Sequence, residues 1–387
     1  MLKRFFVAPN ESFFLFGPRG TGKSTWLKTI FKPDIYIDLL RSETFLPLSY
    51  DPSLIRSRLL PKIQKKKKLK IVIDEVQKIP MILDEVHALI EDYPGCLQFA
   101  LTGSSSRKLR TSGVNLLAGR ARTRHFFPMT SFEYQNQLTL DSALRFGTLP
   151  KVLVLKTHSE KEDFLRSYSQ SYLYEEIQQE ALVRNLPNYI RFLKHLALNN
   201  GKVLNLTAIS REAGISRAPL ENYMSILMDT LMGTMLEPIH LRAKIKEVSN
   251  PKFYFFDCGI VEALSGTIGD PLSDNRLGTL FETLVLGELK AYASYSQKFF
   301  DINYWGTPSS NEVDFILTKG SRSVGIEVKS SKKWRSGFEN GLSTLLEQEK
   351  IKKGIVVYRG TEIERHGNLD LIPFESFCKK LFAGEII

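Results

Sequence analysis

The stretch that decides the fold of the first third is GPRGTGKS, residues 17–24, set between the apolar segment ESFFLFG and the helix-like segment STWLKTI. It matches the pattern G-x-x-x-x-G-K-[ST] in full. Its glycines let backbone N–H groups approach phosphate oxygens closely, and a helix that starts there turns its positive end toward anions. The stretch predicts a phosphate-binding loop in which Lys23 reaches the β- and γ-phosphates and Ser24 ligates Mg²⁺.

A second predicted element is the strand Ile71-Val72-Ile73, which ends in two carboxylates. Asp74 is expected to hold the Mg²⁺ ion through water, and Glu75 to orient and polarise the attacking water. The next strand ends in LTGSSS, where Thr102 or Ser104 contacts the γ-phosphate or the water, unless this is only a hydroxyl-rich turn. Arg120 is either an arginine finger acting in trans, which requires an oligomer, or a surface arginine.

These elements define a predicted ATP site. The expected nucleotide-contacting residues are Gly17, Pro18, Arg19, Gly20, Thr21, Gly22, Lys23, Ser24, Thr25, Asp74 and Ser104. The apolar segments DIYIDLL, KLKIVIDEV and CLQFALTG alternate with helical stretches, among them a helix predicted over residues 81–93. Alternation of this kind predicts an α/β fold with a parallel sheet and helices on both faces.

Composition and charge narrow the class of protein. The chain has 387 residues, is 43% hydrophobic and 25% charged, and carries a formal net charge of +11. No apolar run approaches the roughly 20 residues that span a membrane. Most of the basic excess lies in residues 1–70, which hold 15 Lys or Arg and 5 Asp or Glu. The run KIQKKKKLK, residues 62–70, either contacts phosphates or forms a solvated loop. Three scattered cysteines predict no disulfide framework and fit a cytoplasmic protein.

A helix pair is predicted within residues 203–236. Thr207 is expected to cap the first helix, Gly214 to form the turn and Ser216 to cap the second helix. This is the helix-turn-helix arrangement. The second helix is rich in apolar residues and has one arginine, so the module is interpreted as a packing connector rather than a reader of DNA sequence.

The last third contains Asp314 and, after twelve residues, Glu327-Val328-Lys329. Residues two apart on a strand share a face, and the turn TKGSR brings Asp314 back beside Glu327. Two adjacent carboxylates suit a divalent cation, and Lys329 is placed to stabilise charge on a phosphate. Glu282, and with less support Glu288, is a further expected ligand from a helix. The alternative is ordinary charges on the open face of a hairpin.

The segments FGPRGTGKST, IVIDEVQKIP, LTGSSS, LAGRA and FFPMTSFEY together resemble a group of prokaryotic AAA-superfamily ATPases that carry a domain of unknown function after the ATPase. The resemblance extends through KFYFFDCGI, FETLVLGEL and EVDFIL…IEVKSS. It implies an ATPase domain, a winged-helix-like middle and a nuclease-like end of the PD-(D/E)XK, or restriction-endonuclease-like, type. One departure is Glu175-Glu176 in YLYEEIQQE, where Tyr-x-x-x-Asp-Ile is expected.

The predicted domains are a P-loop ATPase (1–155), a helical and winged-helix-like domain (156–248) and a nuclease-like domain (249–387). One hypothesis is Mg²⁺-dependent ATP hydrolysis that positions or gates a nuclease-like domain acting on DNA. A second is a nucleotide-dependent switch whose inactive nuclease-like domain binds a protein or nucleic-acid partner. A third is a remodelling motor, which requires a homo-oligomer. None involves a membrane. The predicted cofactors are ATP and Mg²⁺. The predicted metal ligands are Ser24 and Asp74 in the ATPase domain. In the nuclease-like domain they are Glu282, Asp314 and Glu327, next to Lys329.

Overall fold

The fold is described from a computed structural model. It describes residues 3–63, 67–103, 117, 119–172, 185–241, 246–308 and 311–387. The chain divides into two compact units. The N-terminal unit comprises residues 4–127 and 229–232, and the C-terminal unit comprises residues 1–3, 128–228 and 233–387. The three-domain division with boundaries at 155 and 248 stays a prediction.

The N-terminal unit is built on a five-stranded, all-parallel sheet in the order β2-β3-β4-β1-β5. Its strands are β1 (Ser12–Phe16), β2 (Ile35–Asp38), β3 (Leu69–Asp74), β4 (Leu97–Gly103) and β5 (Ala121–His125). β1 and β4 are buried along their whole length, which is typical of a parallel sheet covered on both faces. The α/β class predicted for this part of the chain is confirmed.

In the described part of this unit, four helical segments longer than a single 3₁₀ turn accompany the sheet. They are α1 (Lys23–Trp26, continued as a π-helix over Leu27–Phe31), α2 (Ser42–Tyr50), α3 (Leu54–Ile63) and α4 (Ile82–Asp92). The helix predicted over residues 81–93 is confirmed as α4, which buries Ile82, Val86 and Leu89 at helical spacing. Because β4 lies between β1 and β3, the loop after β1 and the end of β3 flank the same strand.

The chain after residue 128 is first helical. Its helices are α5 (Ser131–Tyr134), α6 (Leu140–Phe146), α7 (Pro150–Val154), α8 (His158–Ser167), α9 (Leu186–Leu198), α10 (Leu206–Ala213) and α11 (Arg217–Asp229). α10 and α11 form the predicted helix pair, joined through Gly214 at φ 65°. The predicted cap at Thr207 is wrong. The Asn205 side chain accepts from the Ala208 N–H at 3.0 Å, so the helix begins nearer to Asn205.

Two sheets and four helices make up the described chain from residue 233 onward. The antiparallel pair β6 (Gly233–Leu236) and β7 (Lys252–Phe255) precedes β8 (Asp301–Gly306), β9 (Glu312–Lys319), β10 (Arg322–Lys329), β11 (Lys353–Tyr358), β12 (Glu364–His366) and β13 (Leu369–Pro373). The helices are α12 (Cys258–Ser265), α13 (Asp274–Ser296), α14 (Asn340–Glu347) and α15 (Phe374–Ala383). The six-stranded sheet has the order β12-β13-β11-β10-β9-β8. The predicted hairpin is confirmed as β9 paired antiparallel with β10.

A buried aspartate joins two helices of this unit. Asp257 begins α12, where its carboxylate accepts from the Ile260 N–H at 3.2 Å. The same carboxylate accepts from the Thr148 N–H at 2.7 Å, which fixes the chain just after α6. Gly147, at φ 72° and ψ −169°, ends α6, and a Cβ there would lie well inside 3.0 Å of the Asp257 carboxylate. The junction therefore requires glycine at residue 147.

Candidate functional site

The loop after β1 has the backbone that the glycine pattern predicts. Gly20 and Gly22 have φ values of 82° and 94°, which favour glycine. A Cβ on Gly17 would lie well inside 3.0 Å of the Phe126 carbonyl oxygen, so the loop passes β5 closely at this point. Gly22 leads directly into α1, with the Trp26 N–H donating to the Gly22 carbonyl at 2.9 Å. The loop and the helix that follows it are thus one structural element.

Lys23 bonds the backbone of this loop from within. Its side chain is buried, with the residue 8% exposed, and its ammonium donates to the Gly17 carbonyl at 2.5 Å and the Pro18 carbonyl at 3.0 Å. The Thr21 hydroxyl also donates to the Pro18 carbonyl, at 2.9 Å. The loop therefore curls around a buried positive charge, which suits the binding of phosphate oxygens.

The carboxylate of Asp74 is held by two hydroxyl groups. Tyr36 on β2 donates to one oxygen and Thr102 on β4 donates to the other. Burial, and after it the Asp74 carboxylate, raises the pKa of Tyr36 well above its usual range, while the Ser24 side chain acts on the same phenol in the opposite direction. Asp74 is 5% exposed. Tyr36 thus contacts Asp74 and lies beside Ser24.

The residues present fit a magnesium ion at this position. Ser24 and Asp74 both interact with the Tyr36 phenol, one from the start of α1 and the other from the end of β3. A hydroxyl and a carboxylate are the oxygen ligands that Mg²⁺ prefers. The sequence reasoning missed Tyr36. The signal lay in its position near the end of the strand adjacent to β3, with Asp38 paired to Asp74.

Glu75 leaves the strand in an unusual backbone conformation. Its φ of 63° is rare for a residue with a side chain and occurs often at functional sites. Its N–H donates to the Thr102 hydroxyl at 3.2 Å, and the Gln77 side-chain amide donates to its carboxylate at 2.6 Å. Thr102 and Gln77 therefore fix the turn and the carboxylate of Glu75.

The remaining predicted ATP-site residues are placed as follows. Thr102 is 0% exposed and binds Asp74, so its hydroxyl positions that carboxylate rather than facing a phosphate. Ser104 lies outside the described residues. Arg19 is half-buried, and Thr25 is exposed in the first turn of α1. Arg120 bonds the Glu91 carboxylate at 2.5 Å, and its role in trans stays a prediction.

A second group of charged residues lies in the C-terminal unit; we call it the carboxylate cluster. Its members are Lys252 and Tyr254 on β7, Glu282 on α13, Glu312 and Asp314 on β9, and Glu327 and Lys329 on β10. The register places Ile326 opposite Phe315, so Glu327 and Asp314 are the next neighbours across the two strands. The predicted residues Glu282, Asp314, Glu327 and Lys329 are therefore brought together.

The two predicted carboxylates on the hairpin have different surroundings. One oxygen of Asp314 accepts from the Val328 N–H at 2.8 Å. Glu327 accepts from the Lys329 ammonium at 2.5 Å through one oxygen. Its other oxygen, Oε2, is buried and has no hydrogen-bond partner among the described residues. A buried carboxylate oxygen of this kind is suited to a cation or a water molecule.

Three members of the carboxylate cluster were missed by the sequence reasoning. The Lys252 ammonium bonds Glu312 and lies 3.9 Å from both Glu282 Oε2 and Asp314 Oδ1. The Tyr254 hydroxyl donates to Glu282 Oε2 at 2.7 Å. Lys252 and Tyr254 are two residues apart and so share one face of β7. A lysine inside the otherwise apolar segment KFYF was the available signal.

Burial and mutual repulsion dominate the electrostatics of the cluster. Burial, with the neighbouring Asp314, raises the pKa of Glu282 to about 8 and that of Glu327 well above its usual range. Burial lowers the pKa of Lys252, but the carboxylates of Glu282, Asp314 and Glu312 outweigh burial and raise it. Among the described residues, no three acidic, histidine or cysteine side chains converge to form a ready metal site.

Glu288, the less favoured candidate ligand, does not join the carboxylate cluster. It is six residues beyond Glu282 on α13, which places it on another face of the helix. Its carboxylate accepts from the Ser131 N–H at 2.6 Å. Burial raises the pKa of Glu288 to about 8. It is therefore a buried acid that supports the start of α5.

The substitution Glu288→Gln is expected to flatten the dependence of stability on pH. The unfolded chain ionises Glu288 above about pH 4.5, whereas the folded chain keeps its proton to about pH 8. Wild-type stability therefore falls between these pH values, by on the order of 5 kcal/mol from this group. At pH 8 the variant should be the more stable protein, and near pH 5 the two should be alike.

Urea unfolding at pH 5, 6.5 and 8 measures this difference, with Glu375→Gln, which alters an exposed residue of α15, as the control. If the free energies of unfolding of Glu288→Gln and wild type differ by the same amount at all three pH values, Glu288 is not a buried, protonated acid.

Among the described ranges, no helix combines the length and the apolar character needed to cross a membrane.

Comparisons with known proteins divide the chain into three parts. Residues 9–135 match a family described as an AAA domain, AAA_14. Residues 137–270 and 277–377 match two domains of unknown function, DUF8612 and DUF4143.

Three uncharacterized proteins are similar to this chain over most of its length. Uncharacterized proteins of Mycobacterium tuberculosis and Mycobacterium bovis are each 24% identical over 351 residues, covering 89% of this chain and 76% of theirs. An uncharacterized protein of Methanocaldococcus jannaschii is 23% identical over 409 residues, which cover 95% of this chain and 88% of that protein. A crystal structure of a Vibrio cholerae protein covers 97% of this chain and 96% of its own at 11% identity. Its TM-score of 0.22 is too low to support any argument. The chain therefore carries an AAA domain of the P-loop ATPase superfamily near its N-terminus and a DUF4143 domain in its C-terminal part.

Proposed function

We propose that the N-terminal unit binds ATP with Mg²⁺ and hydrolyses it. The observation that carries this proposal is the placement of the Lys23 loop, Asp74 and Glu75 at the ends of β1 and β3, on either side of β4. The match to an AAA domain over residues 9–135 supports it.

Each residue has a proposed task. Lys23 and the loop N–H groups bind the phosphates, and Ser24 and Asp74 hold the magnesium ion, which neutralises charge on the phosphates when bound. Tyr36 and Thr102 keep the Asp74 carboxylate oriented through their hydroxyl groups. Glu75, held by Gln77, orients the attacking water and accepts its proton.

The test is ATP binding and hydrolysis by the purified chain, with Lys23→Ala beside wild type. Lys23→Ala removes the buried charge of the loop and should weaken ATP binding at least about tenfold. Lys62→Ala, which removes an exposed lysine from α3, is the matched control and should bind as wild type does. Unchanged binding and turnover in Lys23→Ala would sink the assignment.

A second candidate function concerns the C-terminal unit. We infer that it acts on nucleic acid by metal-dependent cleavage of a phosphodiester bond, under control of the ATP cycle. Asp314, Glu327 and Lys329 adjoin one another on a hairpin, and Glu327 keeps one oxygen without a partner among the described residues. Lys329 would stabilise negative charge on the scissile phosphate, and a divalent ion held by Asp314 and Glu327 would activate the attacking water.

Nicking of supercoiled DNA in Mg²⁺ or Mn²⁺, with and without ATP, tests this candidate. Activity should disappear in Asp314→Asn and Glu327→Gln, while DNA binding persists. Nicking that survives both substitutions overturns the proposed site. Binding of DNA or a protein partner without nicking favours the alternative, a nucleotide-dependent switch. The winged-helix-like and nuclease-like folds, a homo-oligomer and a cytoplasmic location stay predictions.

A further inference from the structure

Lys252 occupies an unusual position for a lysine. Its side chain is 4% exposed, and lysine is rarely buried to this degree unless it is paired. Its ammonium bonds Glu312 and lies 3.9 Å from Glu282 and from Asp314, so three carboxylates surround one positive charge. The ring of Tyr304 lies 5.3 Å from the same ammonium. Lys252 is therefore fixed at the centre of three acidic side chains.

The positive charges of the carboxylate cluster are unevenly placed. Lys252 lies within 4 Å of the carboxylates of Glu282, Glu312 and Asp314. Lys329 bonds one oxygen of Glu327. Four carboxyl groups face two ammonium groups, which leaves a formal excess of two negative charges when all four are ionised. The buried oxygen without a partner among the described residues is Glu327 Oε2, whereas Lys252 bonds Glu312. Any further cation is thus expected beside Glu327.

We propose that Lys252 is a built-in cation that takes the place of a divalent metal ion between Glu282, Glu312 and Asp314. The cluster then binds at most one divalent ion, beside Glu327 and Asp314. The expected ion is a hard cation such as Mg²⁺ or Mn²⁺, because every available ligand is a carboxylate oxygen. This inference deepens the second candidate function, and it is tested by metal binding rather than by cleavage, so that the two can fail separately.

The experiment is calorimetric titration of the full chain with Mn²⁺. Asp74→Asn is included in every variant, so that the ATP site contributes little to the signal. The reference chain should bind no more than one Mn²⁺ ion. Lys252→Met, which keeps the length of the side chain and removes its charge, should bind one additional Mn²⁺ or bind Mn²⁺ at least about tenfold more tightly.

Lys290→Met is the matched control. Lys290 is half-buried in this unit, and its ammonium bonds the Thr234 hydroxyl rather than a carboxylate of the cluster. This variant should bind Mn²⁺ as the reference chain does. Two Mn²⁺ ions in the cluster of the reference chain, or unchanged number and affinity in a folded Lys252→Met, overturn the proposal.

Lys252→Met leaves Glu282, Glu312 and the buried Asp314 without their ammonium, which endangers folding. The double variant Lys252→Met with Glu312→Gln removes both partners of the ion pair and avoids much of this cost. It retains Glu282, Asp314 and Glu327 and should still bind Mn²⁺ at least about tenfold more tightly than the reference chain. No gain in this folded double variant also overturns the proposal.

Discussion

Glu75→Gln is expected to lower ATP turnover by roughly 10²–10⁴-fold, the usual contribution of a general base. Glutamine keeps the size of the side chain and a hydrogen-bonding oxygen for Gln77, but it cannot accept a proton at neutral pH. The left-handed backbone at residue 75 is unchanged, because the substitution alters only the end of the side chain. ATP affinity should therefore stay near the wild-type value, since Lys23 and the loop are untouched.

Steady-state phosphate release and fluorescent-nucleotide binding separate these two effects. Gln77→Leu removes the donor that orients the Glu75 carboxylate and should give a smaller loss of turnover. Glu85→Gln, on α4, removes an acid outside the ATP site and should leave both measurements unchanged. If Glu75→Gln turns over ATP at the wild-type rate, Glu75 does not activate water.

Gly147→Ala is expected to destabilise the C-terminal unit by several kcal/mol. Two independent causes add. The backbone at φ 72° and ψ −169° lies in a region that is essentially limited to glycine, at a cost of about 1–3 kcal/mol for other residues. The new Cβ also collides with the Asp257 carboxylate, which must then release the Thr148 or Ile260 N–H. A buried N–H without a partner costs about 1–3 kcal/mol more.

Gly214→Ala supplies the comparison. This glycine also has a positive φ, 65°, but it lies in the left-handed helical region, and a Cβ there meets nothing within 4 Å. Its replacement should cost only about 1–2 kcal/mol, from the backbone alone. Urea midpoints followed by far-ultraviolet circular dichroism measure both variants. Equal losses for the two variants contradict the role assigned to the Gly147–Asp257 contact.

The arrangement of the candidate ATP site could be predicted largely from sequence because its pieces are local patterns. The glycine loop and the strand ending in Asp74-Glu75 each carry their geometry in consecutive residues. The β9–β10 hairpin was predictable for the same reason. Tyr36 was not, because it meets Asp74 only through the pairing of β2 with β3.

Lys252, Tyr254 and Glu312 escaped prediction for a related reason. Lys252 is separated from its partners by 30 to 62 residues of sequence. It was also overlooked because an ammonium group is not a metal ligand. The prediction that Thr207 caps α10 was wrong because Asn205, two residues earlier, is an equally good capping residue and accepts the hydrogen bond instead. The sequence alone therefore identified single groups well and their distant partners poorly.

The sequence segment that contains Lys252 determines where this chain can be cut into fragments. Lys252 and Tyr254 lie within the matched segment 137–270, whereas the carboxylates they bind lie within 277–377. Two segments defined as separate sequence families thus share one buried electrostatic network. A fragment starting at residue 277 would leave Glu282 without a phenol and Glu312 without an ammonium. The two segments are accordingly not interchangeable modules: truncations, fusions and domain exchanges must carry residues 137–377 as one piece.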